Sequence, residues 1–166
     1  MPRFDSDYLA QLKEKLDAHG LERMVAWGHP DGLEGGKKPE AAKEMEQHLL
    51  TTQAVGGTVM RIVGSSLMFR DDPHGPQIEK LAEILKESVK KAEDMGIRMA
   101  IENHIDFTSD EILEILDRVG SDYLGVNFDT GNCLRVFEDP VEAARKLARR
   151  IYATHVKDID PSHGSP

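Results

Sequence analysis

Three polar side chains each stand where an apolar run ends. Glu102 closes Arg98-Met-Ala-Ile-Glu102, Asp129 closes Gly125-Val-Asn-Phe-Asp129, and His155 closes Ile151-Tyr-Ala-Thr-His155. They lie 27 and 26 residues apart, about one strand–helix unit each, against about 31 residues per unit in a (β/α)8 barrel of ~250 residues. Two carboxylates and an imidazole on successive strand ends converge at the mouth of a parallel barrel. Ligands of that kind suit a divalent metal ion, so the pattern predicts a metal-dependent enzyme. Each residue also has a plainer reading. Glu102 could be a solvated strand-end carboxylate and His155 a core histidine bonded to backbone. Asp129 could be a cap or turn residue, because Asp129-Thr-Gly-Asn132 has turn chemistry. Taken together, those readings leave the shared strand-end position unexplained.

Further candidates surround the three. His29 and His104 follow strand ends and would face the same mouth, as would Asn132, three residues beyond Asp129. Lys157 lies two residues after His155, so strand alternation puts it on the same face, within reach of a carbonyl, carboxylate or phosphate oxygen. For His29, His104 and Lys157 an exposed loop position weighs equally. Asp158 is better placed to orient a neighbour or cap a loop than to bind metal. Cys133 has no nearby base-and-orienter pair and reads as a small buried side chain. His48 and His74 have no partner that local sequence identifies.

The elements that must position these residues alternate along the chain. A helix from about Ser6 to Ala18 carries Leu9, Leu12 and Leu16 on one face, with Gly20 just past its end. The strand Met24–Trp27 follows, then a loop rich in Gly and charge from Asp31 to Lys38. Pro39 opens a helix with Ala41, Met45, His48 and Thr52 along a stripe. The next strand, Thr58 to Val63, is apolar except for Arg61. A polar loop from Arg70 to Pro76 leads to the longest helix, where Ile78, Leu81, Ala82, Leu85, Val89 and Ala92 keep the 3.6-residue period until Gly96. Thr108-Ser-Asp-Glu111 has capping-box spacing and starts a helix burying Ile112, Ile115, Leu116 and Val119. Asp139-Pro140 starts the last helix, with Ala144, Leu147 and Ala148 inward.

Near-continuous apolar strands separated by amphipathic helices indicate a parallel sheet covered by helices. Five strands are visible, ending near Trp27, Val63, Glu102, Asp129 and His155. The expected architecture is α/β, of the (β/α)8 TIM-barrel type, truncated to about five strand–helix units and forming a single domain over residues 1–166. An open doubly wound sheet is the alternative, although no Gly-rich phosphate loop follows the first visible strand.

Composition narrows the class. A net charge of −9 argues against nucleic-acid binding, which needs a basic patch. No apolar run approaches the ~18–20 residues of a membrane span, and Met1–Asp5 lacks the apolar segment of a signal peptide. The single cysteine, Cys133, makes no internal disulfide, so the default expectation is a cytoplasmic protein.

The segments Ile101-Glu-Asn-His104, Asn127-Phe-Asp-Thr-Gly-Asn132 and Thr154-His-Val-Lys-Asp158 resemble consecutive strand-end motifs of the xylose-isomerase-like barrels, the sugar-phosphate isomerase/epimerase superfamily. The resemblance runs from about Ser6 to Asp158. It implies a Mn²⁺, Mg²⁺, Co²⁺ or Zn²⁺ ion, Mn²⁺ first, held by Glu102, Asp129, His155 and a second glutamate on a later strand that this chain does not reach. The family often has histidine where this chain has Asn132, whose amide can bind a substrate hydroxyl but cannot titrate.

The resemblance implies a sugar, or sugar-phosphate, isomerase or epimerase. It would act by proton abstraction beside a carbonyl, through an enediolate, with Glu102 as both ligand and base. A keto-sugar dehydratase or a C-glycoside lyase would use the same ion and the same first step. A DNA-repair endonuclease of the superfamily is disfavoured by Asn132, by Ser65-Ser66 and by the acidic charge. The rival from another class is an inactive partial barrel serving as a folding or assembly module, since five strands do not close an eight-stranded barrel. Unpaired edges at the Trp27 and His155 strands predict a homodimer, or tight binding to a complementary barrel fragment.

Overall fold

The computed structural model describes residues 5–28 and 32–159. Five parallel strands, β1 (Met24–Ala26), β2 (Val59–Ile62), β3 (Arg98–Glu102), β4 (Leu124–Asp129) and β5 (Ile151–His155), lie side by side in chain order. The sheet curls enough for β2 to approach β5, giving a TIM-barrel-like half-barrel with helices between the strands. The alternation of strand and helix makes parallel neighbours possible, because a parallel neighbour is reached only through a crossover.

Among the described residues, α1 (Ser6–Ala18) precedes β1, and α2 (Ala41–Ala54), α3 (His74–Asp94), α4 (Ser109–Val119), α5 (Asn132–Arg135) and α6 (Pro140–Leu147) lie in the connections between strands. Strand alternation divides the sheet into two faces. Met60, Ile62, Met99, Ile101, Val126 and Phe128 point to the helices and share one buried cluster with α3 and α4. Each such side chain contributes about 1.5–3 kcal/mol when fully buried. The intervening residues face the concave side. Register pairs Glu102 with Asn127, Asp129 with His155, and Arg61 with Ala100, so Arg61, Glu102, Asn127, Asp129 and His155 share that face.

Several boundaries depart from expectation. The segment Arg70–Pro76 is not all loop, because α3 begins at His74. Pro76 is tolerated in that first turn, where its missing N–H has no helical partner to lose. On α2 the inward position falls to Leu49, with His48 only partly buried. Leu12 and Leu16 of α1 remain partly exposed beside the edge strand β1. Ala143 and Leu147 are the buried residues of α6, while Ala148 lies in a 3-10 turn past its end and is exposed.

The capping box is present: Thr108 accepts from the Glu111 backbone N–H, and the Glu111 side chain accepts from that of Thr108. Glu111 also gives His74 the partner its local sequence conceals, at 2.6 Å from Nδ1. Although burial opposes it, that carboxylate raises the His74 pKa above the ordinary histidine value. Among the described residues, no helix is long and apolar enough to cross a membrane.

Candidate active site

Glu102, Asp129 and His155 come together at the C-terminal ends of β3, β4 and β5. Each offers a ligand atom, and the three atoms lie within 4.8 Å of one another. Register explains the convergence. Glu102 is level with Asn127, Asp129 stands two residues further along β4, and His155 is level with Asp129. His155 Nδ1 is 3.7 Å from both Glu102 Oε1 and Asp129 Oδ2. A further contact from Asn127 Nδ2, at 3.2 Å from Nδ1, fixes the ring.

The two carboxylates are buried by different means. Glu102 is 3% exposed, and its Oε2 is paired with the Nε and Nη2 of Arg61. Its Oε1 accepts from Asn132 Nδ2 at 3.2 Å. Asp129 has no exposed surface, and its Oδ1 accepts the backbone N–H groups of Gly131 and Asn132 at 3.0 and 3.2 Å. The turn role open to Asp129 in the sequence is therefore real and is carried by one oxygen. The other, Oδ2, is buried without an aligned hydrogen bond; Lys157 Nζ stands 2.7 Å away as an ion pair, off the hydrogen-bonding direction.

Lys157 also donates to Asn132 Oδ1 at 3.1 Å, so the Asn132 amide bridges Glu102 and Lys157. The segment after β5 reaches this position because position 131 is a glycine. A Cβ there would meet Ile159 Cδ1 at 2.3 Å and Lys157 Cβ at 3.0 Å. Thr130 completes the clamp: its Oγ1 accepts the Lys157 N–H at 3.0 Å.

His104 lies beside the cluster. Burial, reinforced by the positive charges of Arg61 and Lys157 and opposed by Glu102 and Asp129, holds its imidazole below the usual histidine range. Its Nδ1 is buried without a partner. His29 lies outside the described residues. Cys133 is buried, and burial first, then the Glu138 charge, pushes its thiol up to about 11, which suits the inert role expected of it.

Three contributors were not picked out as site residues from sequence. Arg61 did leave a signal, as the one charge inside an apolar strand. Asn103 accepts the Asp129 N–H at 2.6 Å and donates to the Asp129 carbonyl at 3.0 Å, locking β4 to the end of β3. Asn127 turns toward the concave face with its Oδ1 unsatisfied. Both asparagines lie within the strand-end motifs, but only register assigns them to the site.

Two carboxylates and an imidazole, with Asp129 Oδ2 buried and outside any hydrogen bond, form a donor set that fits a divalent cation.

Comparison with known proteins agrees with this architecture. The family described as a xylose isomerase-like TIM barrel matches residues 1–166. The inosose dehydratase of Clostridium beijerinckii is 26% identical over 162 residues, which take in 89% of this chain and 54% of that protein. The 3-oxo-isoapionate decarboxylase of Pectobacterium atrosepticum is 25% identical over 127 residues, 76% of this chain and 44% of that protein. The chain thus spans about half the length of these curated relatives. In fold it is similar to an L-ribulose 3-epimerase, with a TM-score of 0.82 at 19% identity over 93% of this chain and 56% of that one. It is also similar to a xylose isomerase domain protein from Planctomyces limnophilus, with a TM-score of 0.78 at 21% identity over 91% of this chain and 59% of that one. This chain belongs to the xylose isomerase-like TIM-barrel family.

Proposed function

We propose that the chain carries the metal-binding half of a sugar, or sugar-phosphate, isomerase or epimerase. Glu102, Asp129 and His155 are the ligands and Glu102 is the base. The observation behind this reading is the convergence of the three ligand atoms within 4.8 Å on one face of the sheet. A divalent ion held there, of the Mn²⁺, Mg²⁺, Co²⁺ or Zn²⁺ type with Mn²⁺ first, would polarise the substrate carbonyl and stabilise the enediolate left by proton removal.

The chain's own groups have separable tasks. Glu102, ligand and base together, takes the proton from the carbon beside the carbonyl. Arg61 balances the charge of the carboxylate through Oε2 and fixes its orientation. Asn132, His104 and Lys157 are placed to meet substrate oxygens. A positioned base of this kind contributes about 10²–10⁴-fold to the rate.

A keto-sugar dehydratase is the second reading, favoured by the inosose dehydratases among the relatives. It begins with the same proton removal and uses the same residues. The outer edges of β1 and β5 carry no partner strand among the described residues, which supports pairing with a second copy or with a complementary barrel fragment.

Titration of chelator-treated protein with Mn²⁺, followed by calorimetry, tests the metal site. His155→Ala should weaken binding at least ~10-fold, the loss of one of three protein ligands. Equal affinity in parent and variant would remove the assignment.

A further inference from the structure

The two cations in the site do not stand in equivalent places. Arg61 engages Oε2 of Glu102 with two nitrogens and leaves Oε1 toward His155. Glu102 Oε1 therefore carries no cation, only the neutral Asn132 amide at 3.2 Å, and stays available to an incoming metal ion. Asp129 has no such oxygen. Its Oδ1 is committed to the N–H groups of Gly131 and Asn132, and Lys157 Nζ lies 2.7 Å from its Oδ2.

We infer that Lys157 is the resident counter-ion of Asp129, that it competes with the divalent cation for Oδ2, and that cation entry releases its ammonium to the mouth. This rests on the metal-site reading above. A divalent ion bonded to Oδ2 at about 2.0–2.6 Å and an ammonium on the same oxygen would be held in close mutual repulsion. One must leave, and the side chains say which. Lys157 is 46% exposed on a flexible stem, whereas Asp129 has no exposed surface. Release moves only the side chain, because Thr130 Oγ1 holds the Lys157 backbone N–H. Asn132 Oδ1, 3.1 Å from the ammonium, keeps it tethered beside the site. Without metal, Lys157 offsets the charge of a buried aspartate; with metal, it becomes a cationic donor facing the mouth.

Calorimetric titration with Mn²⁺ of the parent, Lys157→Met and Lys157→Arg separates the possibilities. Lys157→Met should bind the ion at least ~5-fold tighter than the parent, and Lys157→Arg, which keeps the cation, should not. Equal or weaker binding by a folded Lys157→Met variant overturns the inference. The parent alone supplies a second readout, independent of whether a variant folds. Acylation by an N-hydroxysuccinimide ester, read by peptide mass spectrometry, should rise several-fold at Lys157 when Mn²⁺ is added and stay level at Lys146. Unchanged or reduced labelling at Lys157 overturns it. Failure of the metal site itself shows differently, as His155→Ala binding Mn²⁺ like the parent. Absence of Mn²⁺ binding by both the parent and Lys157→Met overturns both readings.

Discussion

Glu102 Oε1 accepts a 3.2 Å hydrogen bond from Asn132 Nδ2, which ties the end of β3 to the first residue of α5. With Arg61 on the other oxygen, both acceptor atoms of the carboxylate face fixed donors. The base is thus held in one orientation before any substrate arrives, the kind of preorganisation a proton transfer needs.

Glu102→Gln follows directly. The amide oxygen can stay with Arg61, but the new NH₂ then faces the donor of Asn132 and cannot accept a proton. Turnover of a keto-sugar by the parent should fall at least ~10²-fold, with Mn²⁺ affinity reduced less. Exchange of the substrate α-proton with deuterated solvent, followed by NMR, is the measurement; an unchanged exchange rate rules out Glu102 as base.

Gly131→Val tests the packing that delivers Lys157. The new side chain would have to displace Ile159 and Lys157, which crowd the Cβ position at 2.3 and 3.0 Å. Overpacking of this kind typically costs about 1–3 kcal/mol. Urea unfolding should register that loss, and labelling of Lys157 should increase even without metal. A variant as stable as the parent would mean that the segment after β5 yields freely.

Asp106 governs the pH dependence of stability near the site. Burial pushes its carboxyl up to about 6 from the ordinary aspartate value of 3.8, against the pull of backbone N–H groups, its own first and then that of Phe107 on Oδ1 at 3.0 Å; Oδ2 is buried without an aligned hydrogen bond. The fold thus retains this proton more tightly than the unfolded chain. Its contribution to stability is fully present below about 3.8 and is lost as pH rises through about 6. Asp106→Asn removes the ionisation. The stability of the variant minus that of the parent should rise from pH 4 to pH 6 and level off above. Urea midpoints at half-unit pH steps check the sign, and a flat difference would place Asp106 in contact with water.

The edge strands predict association. β1 and β5 are more exposed than β3 and β4, and each leaves one backbone edge unpaired among the described residues. Open parallel edges beside half-buried apolar residues favour pairing. Size-exclusion chromatography with light scattering at micromolar concentration should find a dimer. A stable monomer at that concentration would show that the edges are protected.

What the sequence determined by itself is the frame. Apolar runs ending in Glu102, Asp129 and His155 at barrel-like intervals, the capping box at Thr108, and the 3.6-residue stripe of α3 are local patterns, set by backbone periodicity and hydrogen bonding within a few residues. The tertiary structure decided who neutralises whom. Arg61 meets Glu102 across 41 positions, Asn103 reaches Asp129 across 26, and Lys157 reaches Asp129 because Gly131 leaves room. His74 found Glu111 37 residues away. Such pairs depend on strand register and side-chain direction, including the register irregularity in the β4–β5 pairing that brings His155 level with Asp129. A one-residue slip of β5 would have turned His155 to the helix side, because alternate residues of a strand face opposite ways.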